Sequence, residues 1–463
     1  MSNEYYREIE ALFPDAVLIG DAVSEKYAVD WSAENAYQPT MVVRPKRVED
    51  ISSLLAYCNT NDLPVVTQGG LTGLAGGATP QQGEVVLSLE RLSGITEIDS
   101  QSMTLTALAG TPLEQLQQAA EDAGFYLPLD LGARGSCTIG GNVSTNAGGN
   151  QVLYYGMTRA LVLGLTAIKA DGTVIRSMNK MLKNNAGYDL KQLFIGSEGT
   201  LGIVTEVVLR LYPKTLSKKS ALCAFDNFND VVGFLQTMQR RLSRVTAFEL
   251  MWSNYVEKVF SIHPNCSNPF TQKYPLYVLI EAEGSDVEYD SQRFDKVLAD
   301  YLERGNMLDA VVAQSNTDAE KFWYIRDGVS SILSAIKYRA NFDIGVPVSV
   351  MDEFVIRVER ALEKSISDLQ LCTFGHMADG NLHLLAWTDS GSDDHKEAVV
   401  QSVYQQVYEI VGEMNGTVTA EHGIGAMKRK YLKLCRSEEE IALMRTLKQA
   451  MDPKGILNPN RVL

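Results

Sequence analysis

Residue types able to do chemistry cluster in two short stretches of this 463-residue chain, which hold three of its five histidines. The first is Phe374-Gly375-His376-Met377-Ala378-Asp379-Gly380-Asn381-Leu382-His383. Asp379-Gly380 is a two-residue hairpin signal, because both turn positions need positive φ, which Asp tolerates and Gly adopts freely. That turn pairs Ala378 with Asn381, Met377 with Leu382, and His376 with His383, placing the two imidazoles on one face with Cβ atoms roughly 5 Å apart. Two imidazoles so placed can share a metal ion; a polar pair on an exposed hairpin reads equally well. The second stretch, Thr419-Ala420-Glu421-His422-Gly423-Ile424-Gly425, sets a carboxylate beside an imidazole before a Gly-x-Gly turn. Two histidines plus Glu421 make a donor set suited to Zn, Mn, Fe or Co, with a position left for substrate. His422 offers a base, since a neutral imidazole is available near pH 7. His263 and His395 lie in polar, loop-like sequence and read as surface residues.

Any reaction partner of such a site must be held by other elements, and glycine marks them. In the first half the glycines gather in three stretches: Gln68-Gly69-Gly70-Leu71-Thr72-Gly73-Leu74-Ala75-Gly76-Gly77, residues 128–149, and residues 194–204. Side chains are absent where a backbone must come close to something, and loops of this kind bind phosphates through N–H groups. Thr72, Ser136, Thr138, Asn142, Thr145 and Asn146 add polar groups. The first half therefore reads as nucleotide-binding. Residues 70–77 have neither the G-x-G-x-x-G nor the G-x-x-x-x-G-K-[ST] spacing, which excludes Rossmann and P-loop sites.

Around these loops the periodicity predicts mixed α/β structure. A helix over 48–58 carries apolar residues at 48, 51, 54, 55 and 58. Strands are expected at 84–89, 103–108, 162–169, 173–176 and 207–212. A capping box at Thr111-Pro112-Leu113-Glu114 is expected to open a helix. After Pro213-Lys214 glycines thin out, and helices over 228–242, 289–302, 317–336, 352–366 and 397–414 alternate with strands. Thr317-Asp318-Ala319-Glu320 reads as a further capping box and Gly416 as a helix C-cap. Ser437-Glu438-Glu439-Glu440 opens a last helix, which Asp452-Pro453 ends.

Composition bounds the answer. The length calls for two or three domains. A net charge of −15 argues against nucleic-acid or anionic-membrane partners. No apolar run is long enough to span a bilayer, no secretory signal is visible at Met1-Ser2-Asn3, and a cytoplasmic protein is expected. Cys58, Cys137, Cys223, Cys266, Cys372 and Cys435 show no C-x-x-C spacing and read as reduced, mostly buried thiols.

Taken together, these motifs resemble the FAD-linked 2-hydroxyacid dehydrogenases of the vanillyl-alcohol oxidase/p-cresol methylhydroxylase superfamily. The resemblance runs from Val42-Val43-Arg44-Pro45 to Ile456-Leu457-Asn458-Pro459. Pro128-Leu129-Asp130-Leu131-Gly132-Ala133-Arg134-Gly135-Ser136-Cys137 and Asn185-Ala186-Gly187-Tyr188-Asp189-Leu190-Lys191-Gln192-Leu193-Phe194-Ile195-Gly196-Ser197-Glu198-Gly199-Thr200-Leu201-Gly202 are most similar to the D-2-hydroxyglutarate branch, with D-lactate dehydrogenases as near relatives. The resemblance implies an α+β fold: a two-subdomain flavin-binding domain over 1–215, an α+β substrate (cap) domain over 216–415, and a short helical C-terminal segment, 416–463, completing both sites. It implies that FAD contacts Gln68, Gly69, Gly70, Leu71, Thr72, Gly73, Leu74 and Gly77; Pro128, Leu129, Gly135, Ser136, Cys137, Ile139, Gly140, Asn142, Thr145, Asn146 and Gly148; and Ile203 and Asn458. The first loop lacks the histidine to which some members attach flavin, so FAD is expected to be non-covalent. His376, His383 and Glu421 match the family's metal ligands, usually Zn²⁺. His422 matches its base, and Arg326 the arginine for the substrate's α-carboxylate. Without the resemblance, Arg326 reads as a surface arginine paired with Asp327 or Glu320.

Oxidation of a D-2-hydroxy acid to the 2-oxo acid, with hydride passing to flavin N5, is what the resemblance implies. Around the substrate, Ser330 replaces a threonine, Asn341 stands where the hydroxyglutarate enzymes have a lysine, and Leu385 where they have asparagine. Losing the lysine removes the obvious partner of a second carboxylate. Lys337 lies on the face of Arg326 if that helix continues, though it also reads as a solvated surface lysine. The alternatives are a D-lactate or glycolate dehydrogenase, or the flavin subunit of a respiratory complex. Expected partners are the hydroxy acid and an acceptor such as electron-transfer flavoprotein or quinone, with a homodimer left open.

Overall fold

The computed structural model describes residues 3–33, 35–263 and 268–463; Met1, Ser2 and Cys266 lie outside them. The chain forms two compact units, one of residues 1–149, 155–214 and 421–463, the other of residues 150–154 and 215–420.

The first unit contains two larger sheets. Val17–Ile19, Met41–Val43, Val85–Ser88 and Val65–Gln68 form one in that order, its last three strands parallel. Helix Val48–Thr60 makes the crossover and buries Ile51, Leu54, Leu55 and Cys58, the i, i+3, i+4, i+7 stripe of a core-facing helix. The other sheet is antiparallel, in the order Ile95–Asp99, Thr104–Leu108, Ile203–Arg210, Val162–Ile168, Val174–Ser177. All seven residues of Val162–Ile168 are buried, as expected of an apolar run covered on both faces. Helix Leu113–Asp122 forms without the expected capping box. Pro112 takes the N-cap position, and the Thr111 hydroxyl donates to the Leu108 (2.7 Å) and Gly94 (3.2 Å) carbonyls instead. The capping box at Ser437 does form, opening helix Glu438–Met451.

The C-terminal residues are built into this unit. Leu457 bridges Val65 in parallel. Arg461, buried, donates through Nη2 to Glu84 Oε2 at 2.9 Å and also pairs with it through Nη1. Breaking a buried pair by removing one partner leaves an uncompensated charge. Glu84→Ala is therefore expected to lower the stability of this unit by about 3–5 kcal/mol, read as an earlier thermal transition.

The second unit is built on a seven-stranded antiparallel sheet. Its order is Asp309–Val312, Ser217–Phe225, Leu276–Gly284, Val245–Trp252, Leu369–Gly375, Asn381–Thr388, Ala340–Gly345. One face packs against helices Ser253–Ile262, Asn316–Arg326 and Val329–Ala335 through Tyr255, Val259, Phe322, Ile325, Phe374 and Trp387. The single helix expected over 317–336 is two, broken at Asp327-Gly328. Its cap is Ser315, which accepts from Asp318 N, in place of the box expected at Thr317. Tyr255 Oη captures the Ile325 carbonyl at 3.2 Å, and also that of Arg326, where the next turn would otherwise use them. A Cβ at Gly328 would meet Val259 Cγ1 at 2.7 Å, so only glycine lets the two helices touch there. Helix Asp393–Glu413 ends with Asn415, rather than Gly416, in the left-handed region at φ 56°.

Cys58, Cys137, Cys223, Cys372 and Cys435 are free thiols, all but the last buried. Burial pushes those of Cys58 and Cys372 up to about 12.

Candidate active site

The hairpin holding the two histidines differs from its expected register. Strand Leu369–Gly375 ends before His376, and Met377–Asp379 forms a 3-10 turn closed by Gly380 at φ 84°. Thus His383 pairs with Phe374, and Asp343 flanks it on its other side. The physical reason is that only Gly380 adopts positive φ, whereas the two-residue turn needs it at both central positions. Asn381 N and Asp379 N both return to the His376 carbonyl at 3.2 Å. The rings nevertheless meet, with centroids 5.5 Å apart and planes at 78°, and nitrogens of the two lie within 4.8 Å of one another.

His376 is buried, and both ring nitrogens have partners. Nδ1 lies 2.7 Å from Glu249 Oε1 and Nε2 3.0 Å from Arg326 Nη2. Arg326 Nε donates in turn to Glu249 Oε2 at 2.8 Å. Arg326 is 8% exposed and Glu249 1%. The surface ion pair read from sequence is thereby corrected: Asp327 is a 3.4 Å contact, and the principal partner comes from a strand 77 positions away. Burial alone would raise the Glu249 carboxyl, but the charge and hydrogen bonds of His376 and Arg326 pull it down to about 2. Burial likewise opposes the Arg326 charge, and Glu249 more than restores it. Sequence reasoning missed Glu249. It stands in Val245–Trp252, a strand otherwise almost wholly apolar, and a carboxylate inside such a run needs a partner.

On the strand beside that of His383, Asp343 is fully buried, accepting through Oδ2 from Thr419 Oγ1 (2.9 Å) and Ala420 N (3.2 Å). Asn341 is opposite Leu385 in register. Leu385 is fully buried in a cluster with Phe374, Cys372 and Trp387. The Ser330 hydroxyl donates to the Asp327 carbonyl at 3.2 Å. Lys337 follows the end of the second short helix, exposed, and bonds Tyr338 Oη at 2.6 Å. It does not continue the helical face of Arg326. His395 is exposed, whereas His263 is partly buried against Tyr324, 3.0 Å from its hydroxyl.

The first unit brings the glycine-rich stretches together. A Cβ at Gly70 would lie 2.0 Å from the Ser136 carbonyl oxygen, and one at Gly69 2.5 Å from Thr138 Oγ1. Leu71 takes φ 58° and Asn146 φ 51°. Asn458 links two of the stretches, its Oδ1 accepting from Thr67 N (2.9 Å) and its Nδ2 donating to the Glu198 carbonyl (2.7 Å). Gln68 Nε2 bonds the Tyr27 and Ala78 carbonyls at 2.9 Å each. Asn142 Nδ2 lies 3.6 Å from Cys137 Sγ, and Thr145 Oγ1 donates to the Gly141 carbonyl. Gln117 Nε2 holds the Leu129 carbonyl after Pro128, and Ile203 is buried at the head of its strand. Thr67 Oγ1, Gln68 Oε1 and Thr138 Oγ1 are buried with no hydrogen-bond partner among the described residues. A close-packed backbone cradle with unspent polar atoms fits a nucleotide cofactor.

Glu421 and His422 belong to this unit. Glu421 Oε1 accepts from Gly149 N at 3.0 Å, and a Cβ at Gly148 would collide with it at 2.3 Å. The turn after His422 is held by Glu198, whose two carboxylate oxygens accept from Ile424 N (2.7 Å) and Gly425 N (2.8 Å). Burial raises the Glu198 carboxyl against those two bonds. Glu198 also escaped the sequence reading, its carboxylate hidden in a glycine-rich run.

The class of protein, a flavin-dependent oxidoreductase, follows from comparison with known families. Residues 39–177 match the FAD binding domain model, and residues 215–462 match the model "FAD linked oxidases, C-terminal domain". D-2-hydroxyglutarate dehydrogenases are similar over nearly the whole chain. The mitochondrial enzyme of Arabidopsis thaliana is 37% identical over 94% of this chain and 77% of its own length, and that of Bos taurus 36% over 100% and 84%. The D-2-hydroxyglutarate dehydrogenase of Stutzerimonas stutzeri is 35% identical over 98% of each chain. The chain belongs to this family of FAD-linked dehydrogenases. Among solved structures, substrate-bound p-cresol methylhydroxylase aligns over 99% of this chain and 96% of its own at a TM-score of 0.79 and 17% identity. An alkyldihydroxyacetonephosphate synthase aligns over 99% and 86% at 0.76 and 18%. The fold is thus the vanillyl-alcohol oxidase type that the resemblance implied. No helix among the described residues is long and apolar enough to cross a membrane.

Proposed function

We propose that the protein oxidises a D-2-hydroxy acid, D-2-hydroxyglutarate or a close analogue, to the 2-oxo acid, with the cytosol as its compartment and electron-transfer flavoprotein or a quinone as the onward acceptor. The observation that carries this reading is the buried Glu249–Arg326–His376 array beside His383, in a chain 37% identical to an enzyme named for that substrate. Arg326 would bind the C1 carboxylate, for which its planar fork is suited. His422 would take the hydroxyl proton. Bound FAD supplies the acceptor for the C2 hydrogen, leaving as hydride. It would be held non-covalently by the cradle of residues 68–78 and 128–149, with Ile203 and Asn458.

His376, His383 and Glu421 would hold a divalent metal, Zn²⁺ by donor type, which lowers the pKa of a bound hydroxyl. The donor set fits this role. With its Nδ1 turned to Glu249, His376 presents Nε2 to a positive centre, the Arg326 guanidinium, which would yield that nitrogen to the ion.

Anaerobic addition of D-2-hydroxy acids is expected to bleach the flavin absorbance, with L-isomers inert; no bleaching by any such acid would overturn the enzyme reading. A strong chelator is expected to abolish turnover and Zn²⁺ to restore it. Asn341 and Leu385 favour a second reading, a monocarboxylate such as D-lactate. A higher kcat/KM for D-lactate than for D-2-hydroxyglutarate would select it.

A further inference from the structure

We propose that Glu249 is a positioning residue that sets the tautomer of His376 and the pose of Arg326 at once, so that one buried carboxylate prepares both the metal ligand and the carboxylate receptor. This rests on the reading of His376 and Arg326 given above. The argument is a count of donors and acceptors. An ionised carboxylate only accepts, and both oxygens of Glu249 are in use: Oε1 faces His376 Nδ1 at 2.7 Å and Oε2 takes Arg326 Nε at 2.8 Å. Nδ1 must therefore carry the ring proton. Neutral imidazole has one protonated nitrogen, so Nε2 keeps its lone pair, in agreement with Arg326 Nη2 lying 3.0 Å from it as a donor. A guanidinium has no acceptor, so the opposite tautomer would set N–H against N–H at that contact. A ligating histidine is typically fixed in this way through its other nitrogen. Both are anchored by the same carboxylate, the ring through Nδ1 and the guanidinium through Nε.

Glu249→Gln separates this role from simple packing. The amide keeps the shape but offers one acceptor oxygen and an NH₂, so one of the two donors must face another donor. Zn²⁺ affinity of the purified flavoprotein, measured by competition with a chromophoric chelator, is expected to fall about 10–100-fold, and KM for the hydroxy acid to rise, while flavin content holds; the thermal transition comes earlier, because the buried Arg326 loses its charge partner. Glu249→Asp, which restores two acceptor oxygens on a shorter arm, is expected to recover part of the affinity. In the unaltered protein without metal, ¹⁵N chemical shifts of histidine-labelled samples are expected to show His376 protonated on Nδ1, a reading independent of any variant's folding. Zn²⁺ affinity unchanged in Glu249→Gln, or an Nε2–H tautomer of His376, would overturn the proposal. A wild-type protein that turns over the acid without binding Zn²⁺ would overturn the metal reading and this proposal together, whereas Zn²⁺ binding unaffected in Glu249→Gln overturns this proposal alone.

Discussion

The His376→Ala protein is expected to lose turnover on the D-2-hydroxy acid by about 10²–10³-fold, the range for deleting one preorganised group that stabilises developing charge. Two effects combine. The metal would lose one of three protein ligands. Arg326 Nη2 and Glu249 Oε1 would also lose a shared neighbour in a buried site, and a buried polar group left unmatched costs about 1–3 kcal/mol. The first effect is read in kcat/KM and Zn²⁺ content, the second in the melting temperature. Flavin content should be unchanged, because the cradle is made by other segments. Full turnover in His376→Ala would refute the metal assignment.

Gly70→Ala is expected to yield protein without bound flavin. The added methyl would sit 2.0 Å from the Ser136 carbonyl oxygen, 2.8 Å from its carbon and 2.9 Å from Cys137 Cα. All three are backbone atoms, so no side-chain rotation relieves the clash and the two glycine-rich stretches must part. Overpacking of this kind costs about 1–3 kcal/mol, and separating the cradle removes the site itself. Gly132→Ala is the control: nothing lies within 4 Å of its added Cβ, so a yellow, normally stable protein is expected. The comparison is made by flavin-to-protein absorbance ratio and thermal denaturation.

The cradle was legible in the sequence because close backbone approach leaves a chemical mark, glycine, at the positions where it occurs. The helices at Val48–Thr60 and Glu438–Met451 were legible for a similar reason: each carries a local signal, an apolar stripe in one and a capping box in the other. The register of the histidine hairpin was not. Asp-Gly is compatible with several turns, and the choice went to the one needing a single left-handed residue. Glu249 and the burial of Arg326 were hidden because their partnership spans 77 positions and no local pattern encodes it. The break at Asp327-Gly328 depended on Tyr255 Oη reaching the end of a helix from a different one. In the last two cases the missing information was a tertiary contact, with Glu249 or with Tyr255 Oη.

The first unit is discontinuous, and this has a consequence for how the protein is made. Strand Val65–Gln68 and its loop leave the ribosome early, yet Leu457, Asn458 and Arg461, which bridge Val65, tie Thr67 to Glu198 and neutralise Glu84, are synthesised after the whole stretch 215–420. The second unit is contiguous apart from residues 150–154 and can fold while the chain is still growing. The loops that these residues tie together are completed only once residues 457–461 have been made.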